Sequence, residues 1–246
     1  MPEFSVRELR EYLSDAKGAP IEFYDEIDST NTRAKLLAER GAKHGTAVIA
    51  DRQTAGRGRL GRSFYSPAET GIYLSMVLRP ENTDLNMATI RAAVGVCRAI
   101  ERICGQSPRI KWVNDLFLNG KKICGILAEG VGPFSNGAPA AVVLGVGINC
   151  STELFPEELR SIAGSLGGGF SREALAAAVI EELREMNGGI EEYRERSLMI
   201  GREVSFLRDG EKQTATVLGI DDAGGLVLRH AGGETVLRCG EVSVKI

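Results

Sequence analysis

The segment Gly56-Arg-Gly-Arg-Leu-Gly-Arg62 limits how this 246-residue chain can fold, because it contains three glycines, three arginines and no acidic residue. Glycine loses the most backbone entropy when it is ordered, and like charges repel one another, so the segment cannot join a hydrophobic core. Guanidinium groups and closely approaching backbone N–H groups bind phosphates and carboxylates. We therefore predict a surface loop that is mobile until an anion orders it, with the remaining chain as its scaffold.

The loop pattern alone also allows a solvated turn or an arginine–glycine segment that binds nucleic acid. It is not a P-loop, because no Gly-Lys-Ser/Thr follows, and it is not a dinucleotide fingerprint, whose glycines open a helix. The formal net charge of -3 argues against a general nucleic-acid binder, since phosphate neutralisation needs a basic surface.

The composition is that of an ordinary soluble protein, with 43% hydrophobic and 26% charged residues. The length allows one large domain, or a main domain and a small one. We find no signal peptide and no apolar run long enough to span a membrane. These features predict a cytoplasmic protein.

The cysteines and histidines give little sign of catalytic or metal chemistry. No Cys-x-x-Cys pair is present and the number of cysteines is odd, which predicts buried thiols in a reducing compartment. With two histidines, His44 and His230, neither a catalytic cysteine nor a metal site built by the protein is expected. Any magnesium would arrive with a nucleotide. The cysteines are Cys97, Cys104, Cys124, Cys150 and Cys239.

Hydrophobic periodicity, caps and turn residues predict the order of elements. Predicted helices cover residues 4–13, 32–40, 84–104 and 171–196, the last with a break at Gly188-Gly189. Predicted strands cover 21–27, 47–50, 71–78 and 141–149, and an Asn119-Gly120 turn predicts a hairpin with the return strand 121–129. After a boundary near residue 199, regularly spaced turns predict a small barrel with strands at 203–207, 213–220, 225–229, 235–238 and 241–246.

Polar residues beside apolar strands are the candidates for ligand contact. Ser29 and Thr30 can cap the following helix and also offer a polar ledge. By period two, Lys122 and Cys124 face one side of the return strand, and Lys121, Ile123 and Gly125 face the other. The pattern alone favours two solvated turn lysines.

Aromatic and glycine positions suggest a flat ligand. Gly145 and Gly147 weaken a buried strand unless something lies close to its backbone, and a flat ligand would explain them. Phe64, just beyond the anion loop, could either pack in the core or cover a heterocycle such as adenine.

Four motifs together resemble the biotin–protein ligase family over roughly residues 22–246. The motifs are Asp28-Ser-Thr-Asn31, Gln53 to Arg62 with Ser66-Pro67, Lys111-Trp-Val-Asn-Asp-Leu116 with Lys122 to Glu129, and Gly145-Val-Gly-Ile-Asn149. The resemblance implies an α+β fold, with a class II tRNA synthetase-like mixed β-sheet that has helices on one face. It also implies a catalytic domain over 1–198 and an SH3-like β-barrel over 199–246.

The resemblance implies a two-step reaction with biotin and Mg-ATP as substrates. Biotin is first activated as biotinyl-5′-AMP, with release of pyrophosphate, and is then transferred to one lysine of a biotin carboxyl carrier domain. Edge strands of the sheet could also pair two copies into a homodimer. No membrane and no DNA partner are expected: the 28 residues before Ser29 are too few for the winged-helix domain of the family's repressor members. This indicates a monofunctional biotin–[acetyl-CoA-carboxylase] ligase.

The resemblance also implies roles for individual residues. The residues implied in catalysis are Lys122, Arg59 and Asp115. Those implied in biotin binding are Ser29, Thr30, Asn31, Gln53, Arg57, Gly58, Arg59, Lys122, Gly125, Gly145 and Gly147. Those implied in ATP binding are Arg57, Arg59, Arg62, Phe64, Lys111, Asn114, Asp115 and Asn149.

Two departures and two alternatives remain open. Val113 stands where the family usually has proline, which predicts a looser turn, and Phe64 replaces a common tryptophan. A lipoate-type protein ligase or acyltransferase shares the catalytic architecture, although the glycine–arginine loop and the C-terminal barrel favour biotin. The other alternative is a non-catalytic RNA-binding module, against which the acidic balance and the lack of stacking aromatics count.

Overall fold

Two β-sheets with helices packed against them make up the fold. The computed structural model describes residues 4–14, 18, 20–79, 84–135, 138–208, 211–238, 240 and 242–244. The helices are α1 (Val6–Tyr12), α2 (Thr30–Glu39), α3 (Leu85–Cys104), α4 (Arg172–Glu185) and α5 (Ile190–Arg196). The strands of the large sheet are β1 (Ile21–Ile27), β2 (Thr46–Gln53), β3 (Gly71–Leu78), β4 (Arg109–Lys111), β5 (Asp115–Leu118), β6 (Lys121–Ser135) and β7 (Ala138–Asn149). The remaining strands are β8 (Glu203–Arg208), β9 (Glu211–Ile220), β10 (Leu226–His230), β11 (Gly233–Leu237) and β12 (Val242–Val244).

The large sheet is mixed and has the strand order β1-β2-β3-β7-β6-β5-β4. Only β1 and β2 of these described strands pair in parallel; the other neighbours are antiparallel. The predicted hairpin is confirmed, because Asn119 and Gly120 adopt φ values of 50° and 75° between β5 and β6. Both values lie in the left-handed region that a two-residue hairpin turn requires.

Three helices begin at a capping side chain, and the cap at Ser29 agrees with the sequence analysis. The side chains of Ser29, Asp84 and Ser171 accept hydrogen bonds from the backbone three residues ahead, at the first turns of α2, α3 and α4. Gly105, with φ of 65°, ends α3. The predicted break in the last helix is confirmed, since α4 ends at Glu185 and α5 begins at Ile190.

Both faces of the large sheet carry helices, so the expectation of helices on one face was wrong. Side chains of α1, α3 and α4 pack with one face in the main hydrophobic core. On the opposite face, Ala34 and Ala38 of α2 pack against Val48, Val77 and Val143. The small alanine side chains let α2 lie close to the strands, and it covers only one end of that face.

The C-terminal sheet is antiparallel, with the order β11-β10-β9-β8-β12. Its buried side chains, including Phe206 and Leu228, belong to the same hydrophobic core as α3. A mixed α/β fold with a large mixed sheet and a C-terminal antiparallel sheet is therefore observed. Among the described residues, no helix has the length and apolar character needed to cross a membrane.

Candidate active site

The strand register brings the predicted motifs onto one row of the large sheet. Tyr73 of β3 pairs with Gly147 of β7, which pairs with Gly125 of β6, which pairs with Asp115 of β5. Directly paired residues of neighbouring strands point to the same face of a sheet. Residues that are far apart in sequence thus form a continuous surface. It lies on the same face of the sheet as α2, on the part that α2 does not cover.

Side chains of the protein itself fill the space above the two strand glycines. A Cβ atom on Gly147 would lie 2.5 Å from Cε1 of Phe64, and a Cβ on Gly145 would collide with the Asn31 amide. Phe64 and Asn31 therefore already require small residues at these two positions, and the contact of a flat ligand with the glycines stays a prediction. The Phe64 ring also meets the Tyr73 ring edge-on, with centroids 6.4 Å apart.

A β-bulge in the hairpin turns Lys122 toward the site. Leu116 pairs with Cys124 but Phe117 pairs with Lys122, so Ile123 is the extra residue. The expectation that Lys122 and Cys124 share a face was wrong, since the bulge breaks the period of two. Cys124 enters the core, while the Lys122 Nζ lies 2.6 Å from Oδ1 of Asp115.

Lys121 does not point freely into solvent either. Its Nζ donates to the carbonyls of Arg160 and Ser161, at 3.0 and 2.6 Å. The interpretation of both lysines as solvated turn residues was therefore wrong. The neighbouring lysines have separate tasks, one at the pocket and one holding the adjacent loop.

The glycine–arginine loop forms a small hairpin. The Gly58 N–H donates to the Arg62 carbonyl at 2.7 Å, and Leu60 and Gly61 adopt φ values of 54° and 75°. Arg59 donates to Oδ1 of Asn114 at 3.0 Å and to the Gly240 carbonyl at 3.3 Å. The loop is thereby tied to the turn between β4 and β5 and to Gly240 in the C-terminal part of the chain. Its ordering by an anion stays a prediction.

A chain of hydrogen bonds orients the polar residues at the start of α2. Gln53 Oε1 accepts from the backbone N–H and the hydroxyl of Thr30, at 2.9 and 3.0 Å. The Gln53 amide nitrogen then donates to the Ser66 hydroxyl at 2.9 Å. Ser75, fully buried on β3, lies within hydrogen-bonding distance of Thr30 and Asn31. Sequence reasoning missed Ser75, although a lone hydroxyl within a buried apolar strand was a usable signal.

Glu129 is a second residue to which the sequence gave no separate role. Burial would raise the pKa of its carboxyl, but hydrogen bonds from Asn31 and Lys35 and the charges of Lys35 and Arg57 outweigh burial. The pKa of Glu129 therefore lies below its ordinary value, and the group is ionised at neutral pH.

The segment at Val113 is fixed at two points. The Trp112 Nε1 donates to the Gly224 carbonyl at 2.9 Å, and the Tyr193 hydroxyl donates to the Val113 carbonyl at 3.0 Å. The Trp112–Val113 peptide bond is cis. The two hydrogen bonds anchor the turn, which is therefore not loose, and they hold the following Asn114 and Asp115 beside the pocket.

Nearly all predicted site residues line one pocket. The lining residues are Ser29, Thr30, Asn31, Gln53, Arg57, Gly58, Arg59, Arg62, Ser63, Phe64, Leu74, Asn114, Asp115, Lys122, Gly125, Ile126, Leu127, Gly145, Val146 and Gly147. Lys111 and Asn149 are not among them. Lys111 lies one strand further out, with its Nζ 5.8 Å from the centre of the Phe117 ring. Asn149 donates to the Gly164 carbonyl at 3.0 Å. The ATP-binding roles expected of these two residues stay predictions.

The described cysteines lie away from the pocket lining. Cys97, Cys124 and Cys150 are buried, and Cys104 is half-buried, all as free thiols. Burial raises the pKa of Cys97 and of Cys150 to about 12, and that of Cys104 to about 11. Cys239 lies outside the described residues. The prediction of buried thiols is confirmed for three of the four.

Comparison with known proteins assigns the family. Residues 23–149 match the family described as "Biotin/lipoate A/B protein ligase family", and residues 199–245 match "Biotin protein ligase C terminal domain". The chain belongs to the biotin/lipoate A/B protein ligase family. Every motif on which the resemblance depended falls within the first matched segment.

Individual proteins that are similar to this chain are also named as ligases. The "Bifunctional ligase/repressor BirA" of Bacillus spizizenii is 37% identical over 74% of this chain, which spans 57% of that relative's length. The "Biotin--[acetyl-CoA-carboxylase] ligase" of Mycobacterium tuberculosis is 32% identical over 98% of this chain and 96% of its own length. The structure of the biotin protein ligase from Aquifex aeolicus in complex with biotin and ATP is similar with a TM-score of 0.78. It is 29% identical, and the match covers 92% of this chain and 98% of that one.

Proposed function

We propose that this protein is a biotin–[acetyl-CoA-carboxylase] ligase, which activates biotin with ATP and transfers it to a lysine of a biotin carboxyl carrier domain. The observation that carries the proposal is the charge of the pocket. Among the described residues that line it are four cations, Arg57, Arg59, Arg62 and Lys122, and one carboxylate, Asp115. In a chain with a net charge of -3, this excess of positive charge favours two anionic substrates.

The first step needs positive charge more than it needs acid–base chemistry. An oxygen of the biotin carboxylate attacks the α-phosphorus of Mg-ATP, and pyrophosphate leaves, so two anions must approach each other. Fixed cations offset that repulsion and stabilise the charge that develops on the phosphoryl oxygens. Lys122 is the best placed, since its ion pair with Asp115 holds its Nζ above Gly125. Arg59 is the second catalytic cation.

Binding of biotin would use the polar residues at the start of α2. In the proposal, Ser29, Thr30, Asn31 and Gln53 bind the ureido ring, and the strand glycines form the floor of its pocket. The hydrogen bonds between Thr30 and Gln53 support this assignment, because they fix the direction of donors and acceptors before a ligand arrives. Phe64 would move from Gly147 to stack on adenine.

The second step transfers biotin to the carrier. The lysine nitrogen attacks the acyl carbon of the adenylate, AMP leaves, and the lysine loses a proton that Asp115 would accept. The mixed anhydride is readily hydrolysed, so the glycine–arginine loop must close over it to exclude water. An Asp115→Asn enzyme should form the adenylate but transfer it slowly, and a transfer rate equal to wild type would refute this role.

The proposal extends to architecture and partners. The catalytic domain over 1–198 would be class II tRNA synthetase-like, and residues 199–246 would form an SH3-like barrel. The second family match, which starts at residue 199, supports that boundary. We propose a biotin carboxyl carrier domain as the protein partner, and pairing of exposed sheet edges as the route to a homodimer.

Biotin-dependent exchange of pyrophosphate into ATP tests the proposed function. The purified chain should catalyse exchange with biotin, and mass spectrometry should detect biotinyl-5′-AMP bound to it. Exchange that depends on lipoate instead would establish the lipoate ligase. Exchange with neither acid would refute both ligases, and RNA binding that requires the loop arginines would then favour the third alternative.

A further inference from the structure

Glu129 lies where the loop, α2 and the large sheet meet. Its carboxylate accepts a hydrogen bond from the Asn31 amide at 3.0 Å and lies 3.1 Å from the Nζ of Lys35. An Arg57 nitrogen lies 3.3 Å from the same oxygen that Lys35 contacts. One half-buried carboxylate thus holds two residues of α2 and one arginine of the loop.

The partners of Glu129 differ in how firmly they are held. Asn31 and Lys35 belong to a helix packed on the sheet, whereas Arg57 belongs to a loop and its side chain is 46% exposed, against 31% for Lys35. If Arg57 left, Glu129 would keep an opposite charge and a hydrogen bond. Breaking a buried ion pair is costly when it leaves a charge without a partner. Release of Arg57 avoids that cost, because Glu129 keeps its other partners.

We propose that Glu129 is a positioning residue, which holds Arg57 before substrates bind and releases it to the phosphates of ATP. This inference rests on the proposed function, because it takes a nucleotide as the arriving anion. A phosphate carries more charge than a carboxylate and accepts two parallel hydrogen bonds from a guanidinium group. Arg57 thus exchanges a water-exposed partner for a stronger one as the loop closes.

Tryptic cleavage of the ligand-free protein measures the hold on the loop. In Glu129→Gln the amide oxygen still accepts from Asn31, but the charge that attracts Arg57 is gone. Cleavage after Arg57, Arg59 and Arg62 should be about two- to fivefold faster than in wild type, the range of a partly exposed ion pair. Lys35→Met should slow cleavage. Of the Glu129 contacts Asn31, Lys35 and Arg57, Arg57 is then the one remaining cation, and the carboxylate holds it more strongly.

Glu22→Gln is the matched control. Glu22 pairs with Arg33 at 2.8 Å on β1 and α2, an acid–arginine pair on the same sheet that does not contact the loop. Its loss should leave cleavage of the loop unchanged. Equal cleavage of Glu129→Gln and wild type, or an equal increase in Glu22→Gln, would overturn the inference.

The Michaelis constant for ATP tests the exchange of partners. If Glu129 competes with phosphate for Arg57, Glu129→Gln should lower this KM about two- to fivefold and Lys35→Met should raise it, with kcat little changed. A purely structural role predicts no gain in apparent affinity. A raised KM for ATP in Glu129→Gln would contradict the proposal that Arg57 leaves Glu129 for the phosphates. Absence of biotin-dependent pyrophosphate exchange in wild type would instead refute the proposed function. The cleavage comparison would still decide whether Glu129 holds the loop.

Discussion

At the scale of single residues, the site is packed by its own side chains: Phe64 and Asn31 lie against the strand glycines, and Glu129 contacts Asn31 and Arg57. Ser29 and Thr30 could be chosen from local pattern, because hydroxyl groups just before a helix can cap it and offer a polar ledge. Gln53 and Lys122 could be chosen only through the family resemblance. Glu129 could not be given its role, since its partner Asn31 lies 98 positions away and no local pattern states which strands become neighbours. Sequence also could not show that Phe64 and Asn31 fill the space above the glycines.

Gly147→Ala tests whether biotin lies on that glycine. The added methyl group would collide with the ring of Phe64 and would also stand on the floor of the proposed biotin pocket, so kcat/KM for biotin in biotin-dependent exchange should fall about tenfold. Gly219→Ala on β9 is the control, because a Cβ there meets no atom within 4 Å. Equal activity of the Gly147 variant and wild type would mean that biotin does not lie on Gly147.

Cys97, Cys104 and Cys150 should resist modification in the native protein. With the pKa of Cys104 raised to about 11 and that of Cys97 to about 12, about one thiol in a thousand or fewer is ionised at pH 8. Since the thiolate is the reactive form, labelling by a disulfide reagent should be slow until denaturant is added. Peptide mapping would identify the labelled sites, and rapid native labelling of Cys97 or Cys150 would contradict the burial.

At the scale of elements, helix caps and turns were readable from sequence but the bulge was not. Asp84, Ser171 and the Asn119-Gly120 turn act through local chemistry, which a short window of sequence contains. The extra residue at Ile123 depends on how β6 pairs with β5, and nothing in its own sequence marks it. A strict period of two consequently assigned Lys122 to the wrong face.

Lys122→Met and Lys121→Met form a matched pair for the bulge. Loss of Lys122 removes the cation beside the reacting groups, so adenylate formation should fall about a hundredfold or more. Loss of Lys121 removes hydrogen bonds to the carbonyls of Arg160 and Ser161, and the rate should stay within about tenfold of wild type. Single-turnover formation of the adenylate measures both rates. A larger loss in Lys121→Met than in Lys122→Met would refute the orientation of Lys122 toward the site.

At the scale of the whole molecule, the two sheets share one hydrophobic core and meet beside the pocket. The turn before β10 accepts hydrogen bonds from Trp112 and from Asn86, through the Gly224 and Ala223 carbonyls. Spacing of turns predicted the C-terminal strands, but docking depends on shape complementarity between distant surfaces. Because Trp112 directly precedes the segment that carries Asn114 and Asp115, this contact couples the C-terminal sheet to the site.

Gly224→Ala should disturb that docking. A Cβ on Gly224 would collide with the side chain of Ile90, whereas one on Gly233 meets no atom within 4 Å, and both glycines have positive φ. Gly224→Ala should lower the free energy of unfolding by about 1–3 kcal/mol more than Gly233→Ala, the usual cost of overpacking. Urea unfolding measures this difference, and equal losses in both variants would mean that the interface tolerates an added methyl group.

The central claim is that the cationic pocket on the glycine-lined face binds both anionic substrates. A crystal structure with biotin and a non-hydrolysable ATP analogue tests it most directly. We predict the biotin carboxylate and the α-phosphate within hydrogen-bonding distance of Lys122, with Arg57 on the phosphates and the loop closed over them. Ligands bound elsewhere, or a loop turned into solvent with Lys122 far from either ligand, would contradict the account.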